Sequence, residues 1–382
     1  MGALSGASLV IGMMIGGGIF STPSAIAALV GGPVPNMLVW VIGALISLLG
    51  AFSYIELGSM IPKSGGEQVY LSHAFRKPRA LLAFMFCFCI ILAIRPSCAA
   101  AVSTVFGKYI LYAAVGPAGE PGTAQYIVDH RGWIERGIGF VGLTSLAVLN
   151  ALSLKWAVRV NNALSALKVL TLLVIAISGI VVLAGATNVP RALDNWRLGF
   201  RDASSSPQHW ASAMFKILFA YDGWSNLNYA LGELKNPRRN LPLAVGGGVS
   251  FTVVLYILAN VAYFSVVPLA DIYTSKEILA GVYCRIVFGE TVGRIILPIL
   301  VALSCYGCVS SIMFGVYRVI VVAARDRYMP YSAFFAQIHP RFGTPFNAVV
   351  ITYVLSAVYM LAPPPGEVFD FLVDLESYPT WL

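Results

Sequence analysis

Two stretches of the chain carry residues that a buried helix accepts only for a reason. The first reads Gly12-Met13-Met14-Ile15-Gly16-Gly17-Gly18-Ile19-Phe20-Ser21-Thr22-Pro23. Three consecutive glycines and a proline disfavour a helix interior. The second reads Phe219-Ala220-Tyr221-Asp222-Gly223-Trp224-Ser225-Asn226-Leu227-Asn228, an acid, a glycine and polar side chains within an apolar run. An interrupted helix exposes its ends, and the chemistry follows from them. Where the first segment resumes near Ile19, free N–H groups and the positive end of the helix dipole can hold a carboxylate. Free carbonyls can hold an ammonium where its first half stops, near Met14–Gly16, and where the second segment breaks, near Phe219–Asp222. Ser225 adds a hydroxyl at the second break. A ligand with that charge separation is an α-amino acid. Glycine-mediated helix packing is the competing account of the first stretch. Two interruptions five segments apart, one holding an acid, favour the ligand site.

The elements that must position these residues follow from composition. Of 382 residues, 58% are hydrophobic and 11% charged, where a soluble domain carries about 25% charged residues. Apolar segments fall near 3–30, 37–61, 80–115, 134–154, 162–184, 208–234, 241–267, 289–322 and 345–362, and a tenth begins near 366. Each is about long enough to cross a bilayer, which takes roughly 20 residues. The chain therefore reads as an all-α polytopic membrane protein, which excludes a soluble enzyme, a secreted protein and a single-anchor protein. The first segment lacks the basic leader of a cleaved signal and is expected to persist as a span. Lipid cannot satisfy an opened backbone, so both breaks must face protein or a water-filled cavity. One break opens the chain and the other opens its second half, as expected for two inverted five-helix repeats around a site at the bilayer midplane. The expected organisation is a single domain over 1–382, with spans 1–5 in 1–184 and spans 6–10 in 208–382, truncated inside span 10.

Net charge is +8. In such a protein basic residues mark cytoplasmic loops rather than a nucleic-acid partner. Their distribution over alternate loops places the start of span 1 and residues 235–241 in the cytoplasm. Cys87, Cys89, Cys98, Cys305 and Cys308 lie in apolar stretches without histidine neighbours and read as small core residues. No metal site and no cofactor are expected. A channel would be expected to show filter rings. An enzyme would need a nucleophile with a base, yet Ser304 and Ser310 lack a nearby histidine and Asp222 lacks a second carboxylate in sequence.

Beyond the two breaks, Ala51-Phe-Ser-Tyr-Ile-Glu56-Leu-Gly, Pro62-Lys-Ser-Gly-Gly-Glu67, Ile94-Arg95-Pro96-Ser97, Glu233-Leu-Lys-Asn-Pro-Arg-Arg-Asn-Leu-Pro242 and Ile338-His-Pro-Arg-Phe-Gly-Thr-Pro345 follow in order. Together these resemble the L-type amino acid transporters of the amino acid–polyamine–organocation superfamily. The resemblance implies a LeuT-type fold and secondary active transport of neutral L-amino acids by alternating access, in the plasma membrane and independent of sodium. Methionine or another bulky neutral side chain is the expected substrate. A cationic amino acid or polyamine, or a non-transporting receptor on the same fold, is the alternative. Substrate residues carry over to Ile15, Gly16, Gly17, Gly18, Phe219, Tyr221 and Asp222, with Phe219 as an aromatic cap. Gly17 often corresponds to Ser in animal members, and Asp222 stands where many have Gly. Animal members also keep a cysteine in the loop after span 3. The loop Gly116–Trp133 has none, so no disulfide-linked accessory subunit is expected and the likeness is closer to fungal permeases.

Ionisable residues inside spans are costly and usually functional or paired, and Lys168, Asp222 and Arg95 are such residues. In related transporters the position of Lys168 can place an ammonium where sodium-coupled relatives hold a cation, bridging spans 1, 5 and 8, with proton coupling as a further option. Snorkelling to the interface is the alternative. Asp222 is expected to meet the substrate ammonium, pair with a buried cation, or cap the break. Arg95, before Pro96, is expected to serve carbonyls freed by the proline. Glu56, Pro62–Glu67 and Lys235–Arg239 are expected elements of an intracellular gate.

Overall fold

The computed structural model describes residues 2–75, 77–78, 80–117, 124–275, 278–363 and 371–376. The first break separates α1 (Ala3–Met14) from α2 (Gly18–Val30), and α3 (Pro33–Met60) follows. A short α4 (Glu67–Ala74) leads into α5 (Leu81–Cys89), which continues through a wide turn over Ile90–Ile94 into α6 (Arg95–Val115). Then come α7 (Gln125–Leu152), α8 (Leu154–Leu183) and the short α9 (Asp194–Arg197). The second break separates α10 (Pro207–Tyr221) from α11 (Asn226–Tyr229). Beyond it, α12 (Pro237–Leu241) feeds α13 (Gly247–Val266), followed by α14 (Leu269–Thr274) and α15 (Leu279–Thr291). The last are α16 (Leu297–Arg325), α17 (Ser332–Phe335) and α18 (Phe346–Leu361), and residues 371–376 are helical.

Among the described residues, six stretches are long and apolar enough to cross a membrane: 3–30, 33–60, 81–115, 154–183, 237–266 and 279–325. Three further expected spans are helical but differ in kind. Asp129, His130, Arg131, Glu135 and Arg136 occupy the first half of α7, α10 stops at Tyr221, and α18 has 16 residues. The end of the expected tenth span, 377–382, and part of the cysteine-free loop, 118–123, lie outside the described residues.

Each helix sorts its residues by face. On α3, Leu45, Leu49 and Phe52 point outward and exposed, as apolar side chains do toward lipid, while Gly43, Ala44, Ser47 and Ala51 are buried. Small residues let helix backbones approach where no hydrophobic drive separates helix from lipid. A Cβ on Gly43 would lie 2.9 Å from Ile217 of α10, and one on Gly50 would lie 2.9 Å from Trp224. The interior is built on α6, which packs against α7, α16 and α18, and on α16, which also packs against α1 and α8. The half-helices meet these walls from two sides: α1 lies against α8, α13 and α16, and α10 against α2 and α3.

Candidate substrate site at the two helix breaks

The first break runs over Ile15–Gly17, and the second begins at Asp222, whose extended backbone is followed by Gly223 at φ +118°. That left-handed conformation favours glycine. The breaks interlock. A Cβ on Gly223 would lie 2.7 Å from Met13 Cγ, and one on Gly18 would lie 2.7 Å from Ala220 Cα. A Cβ on Gly16 would lie 2.5 Å from Cys308 Sγ, whereas at Gly17 the nearest atom is Val105 Cβ, 3.5 Å away. Gly16 and Gly18 thus serve close packing as well as the break, while a Cβ at Gly17 would meet Val105 in ordinary van der Waals contact.

Met14, Gly16, Gly17, Gly18, Phe219 and Asp222 line one small pocket. Its other walls are Met13, Cys98 and Val102 of α6, and Cys308 and Ile312 of α16. The space has a volume of about 10 Å³, which admits one water molecule. Four other expected site residues lie elsewhere. Tyr221 is fully buried against Trp40 and Tyr256, with ring centroids 5.6 and 5.2 Å away. Ile15 and Ile19 are buried in the core behind the break, and Ser225 lines a second, larger cavity. An aromatic at position 221 packs better between two rings than it would beside a glycine break.

The ends of the half-helices are not equally available. At the N-terminus of α2 the N–H groups of Gly18 and Ile19 have no intrahelical partner, as in any first turn. At the end of α1 the carbonyls of Gly12–Ile15, which include Met14 and Ile15 of those expected to meet an ammonium, already have donors. Lys168 donates to Gly12 O, Cys308 Sγ to Met13 O at 3.1 Å, Tyr256 Oη to Met14 O at 2.5 Å and Ser304 Oγ to Ile15 O at 3.4 Å. Tyr256 Oη also reaches Ala220 O at 3.2 Å. Those carbonyls tie the breaks to α8, α13 and α16.

Lys168 does not snorkel. It is fully buried, its ammonium meets α1, and Gly307 of α16 leaves room for it: a Cβ there would lie 2.8 Å from Lys168 Cε. Arg95 differs from expectation as well. Its guanidinium does not serve the backbone near Pro96, because the wide turn over Ile90–Ile94 takes up the register that a proline disturbs. Instead Arg95 Nη1 donates to Asp222 Oδ2 at 2.6 Å, and the two side chains are 4% and 7% exposed. Arg95 Nη2 reaches Tyr229 Oη at 3.4 Å, and that hydroxyl donates to Glu67 Oε1 at 3.2 Å. Asp222 makes no side-chain cap at either helix end. It also has a carboxylate neighbour that its sequence surroundings do not show. A carboxylate oxygen of Glu376, one of Asp222 and Cys98 Sγ lie within 4.8 Å of one another.

The larger cavity has a volume of about 770 Å³ and runs from α4 to the second break. Tyr54, Glu67, Tyr70, Arg95, Asp222 and Tyr229 are among its walls. Asp222 borders both spaces, so the Arg95–Asp222 pair stands between the small pocket and the large cavity. Sequence reasoning missed Cys98, Val102, Cys308 and Ile312 as pocket walls. The signal was their i, i+4 spacing, which puts each pair on one helix face.

The chain is 33% identical over 385 residues to the high-affinity methionine permease of Saccharomyces cerevisiae, covering 99% of this chain and 63% of that protein. It is 31% identical over 379 residues to the cystine/glutamate transporter of Homo sapiens, covering 99% of this chain and 70% of that protein. It is 31% identical over 388 residues to the b(0,+)-type amino acid transporter 1 of Homo sapiens, covering all of this chain and 73% of that protein. The proteins it resembles are named as transporters or permeases, not enzymes, and six helices among the described residues have the length and composition of membrane spans. The amino acid permease family matches residues 1–382, and this integral membrane chain belongs to it.

Proposed function

We propose that the chain carries neutral L-amino acids, with methionine or another bulky neutral side chain as substrate, across the plasma membrane by alternating access. One observation carries this reading: two interrupted helices interlock around a single pocket that offers first-turn N–H groups at Gly18 and hydrocarbon and sulfur walls at Met13, Met14, Cys98, Phe219 and Cys308. The methionine permease among its relatives supports the choice of side chain. The fold we assign is LeuT-type, with 1–184 and 208–382 as inverted repeats and with α4 and 235–241 facing the cytoplasm. A cationic substrate is less well supported, since Arg95 already meets the charge of Asp222. Phe219 caps the substrate in this reading, and Gly16–Gly18 receive its carboxylate.

An amino acid does not fit the pocket at its present volume, so Asp222 and Arg95 must part to join it to the larger cavity. Lys168 supports sodium-independence, because its ammonium already bridges α1 to α8 beside Gly307 of α16. The test is accumulation of labelled methionine by the purified chain in sodium-free proteoliposomes, with and without a proton gradient. Uptake that saturates and is competed by other bulky neutral amino acids is expected. Binding without uptake would point instead to a receptor, and uptake of arginine in preference to methionine would overturn the substrate class.

A further inference from the structure

The network that holds Asp222 does not end at the substrate site. Arg95 has one hand on Asp222, at 2.6 Å, and the other on Tyr229, which donates to Glu67 on α4. Glu67 lies outside the spans, yet its second oxygen, Oε2, is buried and has no hydrogen-bond partner. It borders the same large cavity as Arg95 and Asp222. The groups around it come from several elements. Tyr54 of α3 and Tyr229 of α11 present hydroxyls, Arg95 of α6 is the nearby cation, and Tyr70 lies one turn along α4. Cys87 of α5 is a further neighbour, and Asp326, after α16, accepts the Gln68 amide at 2.7 Å.

We propose that Glu67 is a proton-binding site linked to the substrate site, and that Arg95 is shared between Asp222 and Glu67 according to whether Glu67 carries the proton. The inference rests on the transport reading above and adds to it the group that exchanges a proton with the cytoplasm. A protonated Glu67 offers Arg95 no countercharge, so the guanidinium stays on Asp222 and the two spaces stay separate. An ionised Glu67 attracts Arg95 through the cavity, which frees Asp222 for the substrate ammonium and opens the way toward α4. Burial pushes the Glu67 carboxyl up to about 7, against the opposing pull of Arg95 and the Tyr229 and Tyr54 hydroxyls. The exchange therefore falls at ordinary cytoplasmic pH. The direction follows: raising pH through the midpoint releases the proton and opens the gate.

Two readouts on the purified full chain test this. The first is infrared titration of buried carboxyl groups between about pH 5.5 and about pH 8.5, comparing wild type with Glu67→Gln, and needs no transport. A protonated-carboxyl band that fades near neutral pH in wild type and is missing in Glu67→Gln is expected. In Asp222→Asn, Arg95 is released to Glu67 and the midpoint of the fading moves toward acid, to a proton concentration about tenfold higher. The second readout is exchange of labelled methionine between equal concentrations inside and outside the vesicles. Wild type should speed up about fivefold to tenfold from about pH 6 to about pH 8, following the ionised share of Glu67. Glu67→Gln should stay flat at the slow rate, and Glu67→Asp should restore a pH step. A titrating band unchanged in Glu67→Gln, or unmoved in Asp222→Asn, overturns the proposal. So does an exchange profile that Glu67→Gln leaves intact. A wild type that exchanges no amino acid but shows both infrared changes would remove the transport reading and leave the proton site standing.

Discussion

Neutralising Asp222 tests how the bundle tolerates a cation in its interior. In Asp222→Asn the Arg95 side chain, 4% exposed, keeps Tyr229 Oη at 3.4 Å and Met13 Sδ at 3.9 Å, neither of them charged. Removing one partner of a buried pair costs about 3–5 kcal/mol, because the other charge is left without compensation. At 1.4 kcal/mol per tenfold, that lowers the folding equilibrium constant by roughly two to three and a half powers of ten. Arg95→Gln should cost a similar amount by stranding the carboxylate. The double variant Arg95→Gln/Asp222→Asn buries two neutral amides and should recover at least about 2 kcal/mol of the summed cost. The assay is reversible unfolding of the purified chain in mixed micelles titrated with dodecyl sulfate, at about pH 5.5. There most Glu67 carries its proton, so it takes over Arg95 less than at higher pH. At about pH 8 the penalty of Asp222→Asn should shrink, because an ionised Glu67 becomes the substitute partner. Single and double variants that add within about 0.5 kcal/mol would refute the coupling.

Other changes separate packing from chemistry at the same site. Gly17→Ser should fold with little loss, since its Cβ meets Val105 only at 3.5 Å. Gly18→Ala drives a Cβ to 2.7 Å from Ala220 Cα and should cost about 1–3 kcal/mol, read as a lower unfolding temperature in detergent. Phe219→Ala should lower methionine uptake about tenfold, equivalent to about 1.4 kcal/mol, per molecule at the membrane. Uptake that falls only in step with abundance would discard the capping role. Lys168→Met leaves the buried Gly12 carbonyl without its donor, at a cost of about 1–3 kcal/mol. Sodium-free uptake should fall with it, and full uptake by a stably folded variant would remove Lys168 from the mechanism.

Local rules exposed the helices and their breaks, but not the partners. Gly16-Gly17-Gly18 and Asp222-Gly223 announce interruptions because each violates a short-range preference, and both interruptions are present. Which side chains face the gap depends on rotation about a helix axis. A short motif does not carry that information, so it does not reveal that Tyr221 packs on Trp40 and Tyr256. The spacing of Cys98 with Val102 and of Cys308 with Ile312 did hold the face, but cysteine in an apolar run reads first as core. The Arg95–Asp222 contact joins residues 127 positions apart. A proline beside an arginine suggests a local job for the cation, and the wide turn before α6 removes the need for one. Glu376 lies still further along the chain, beyond the reach of any motif around Asp222.

The Arg95–Asp222 contact also bears on how the carrier answers to voltage. An elementary charge moved through the membrane field is worth about 2.3 kcal/mol per 100 mV, and a bundle that rocked with a lone acid at its centre would be driven or stalled by the resting potential. Joined to Asp222 at 2.6 Å, Arg95 cancels that acid's charge, and a zwitterionic cargo adds no net charge to the pair. Handing Arg95 to Glu67 moves that charge only across the cavity, a fraction of the membrane's thickness. Methionine exchange should thus run at nearly the same rate under an imposed potential as without one.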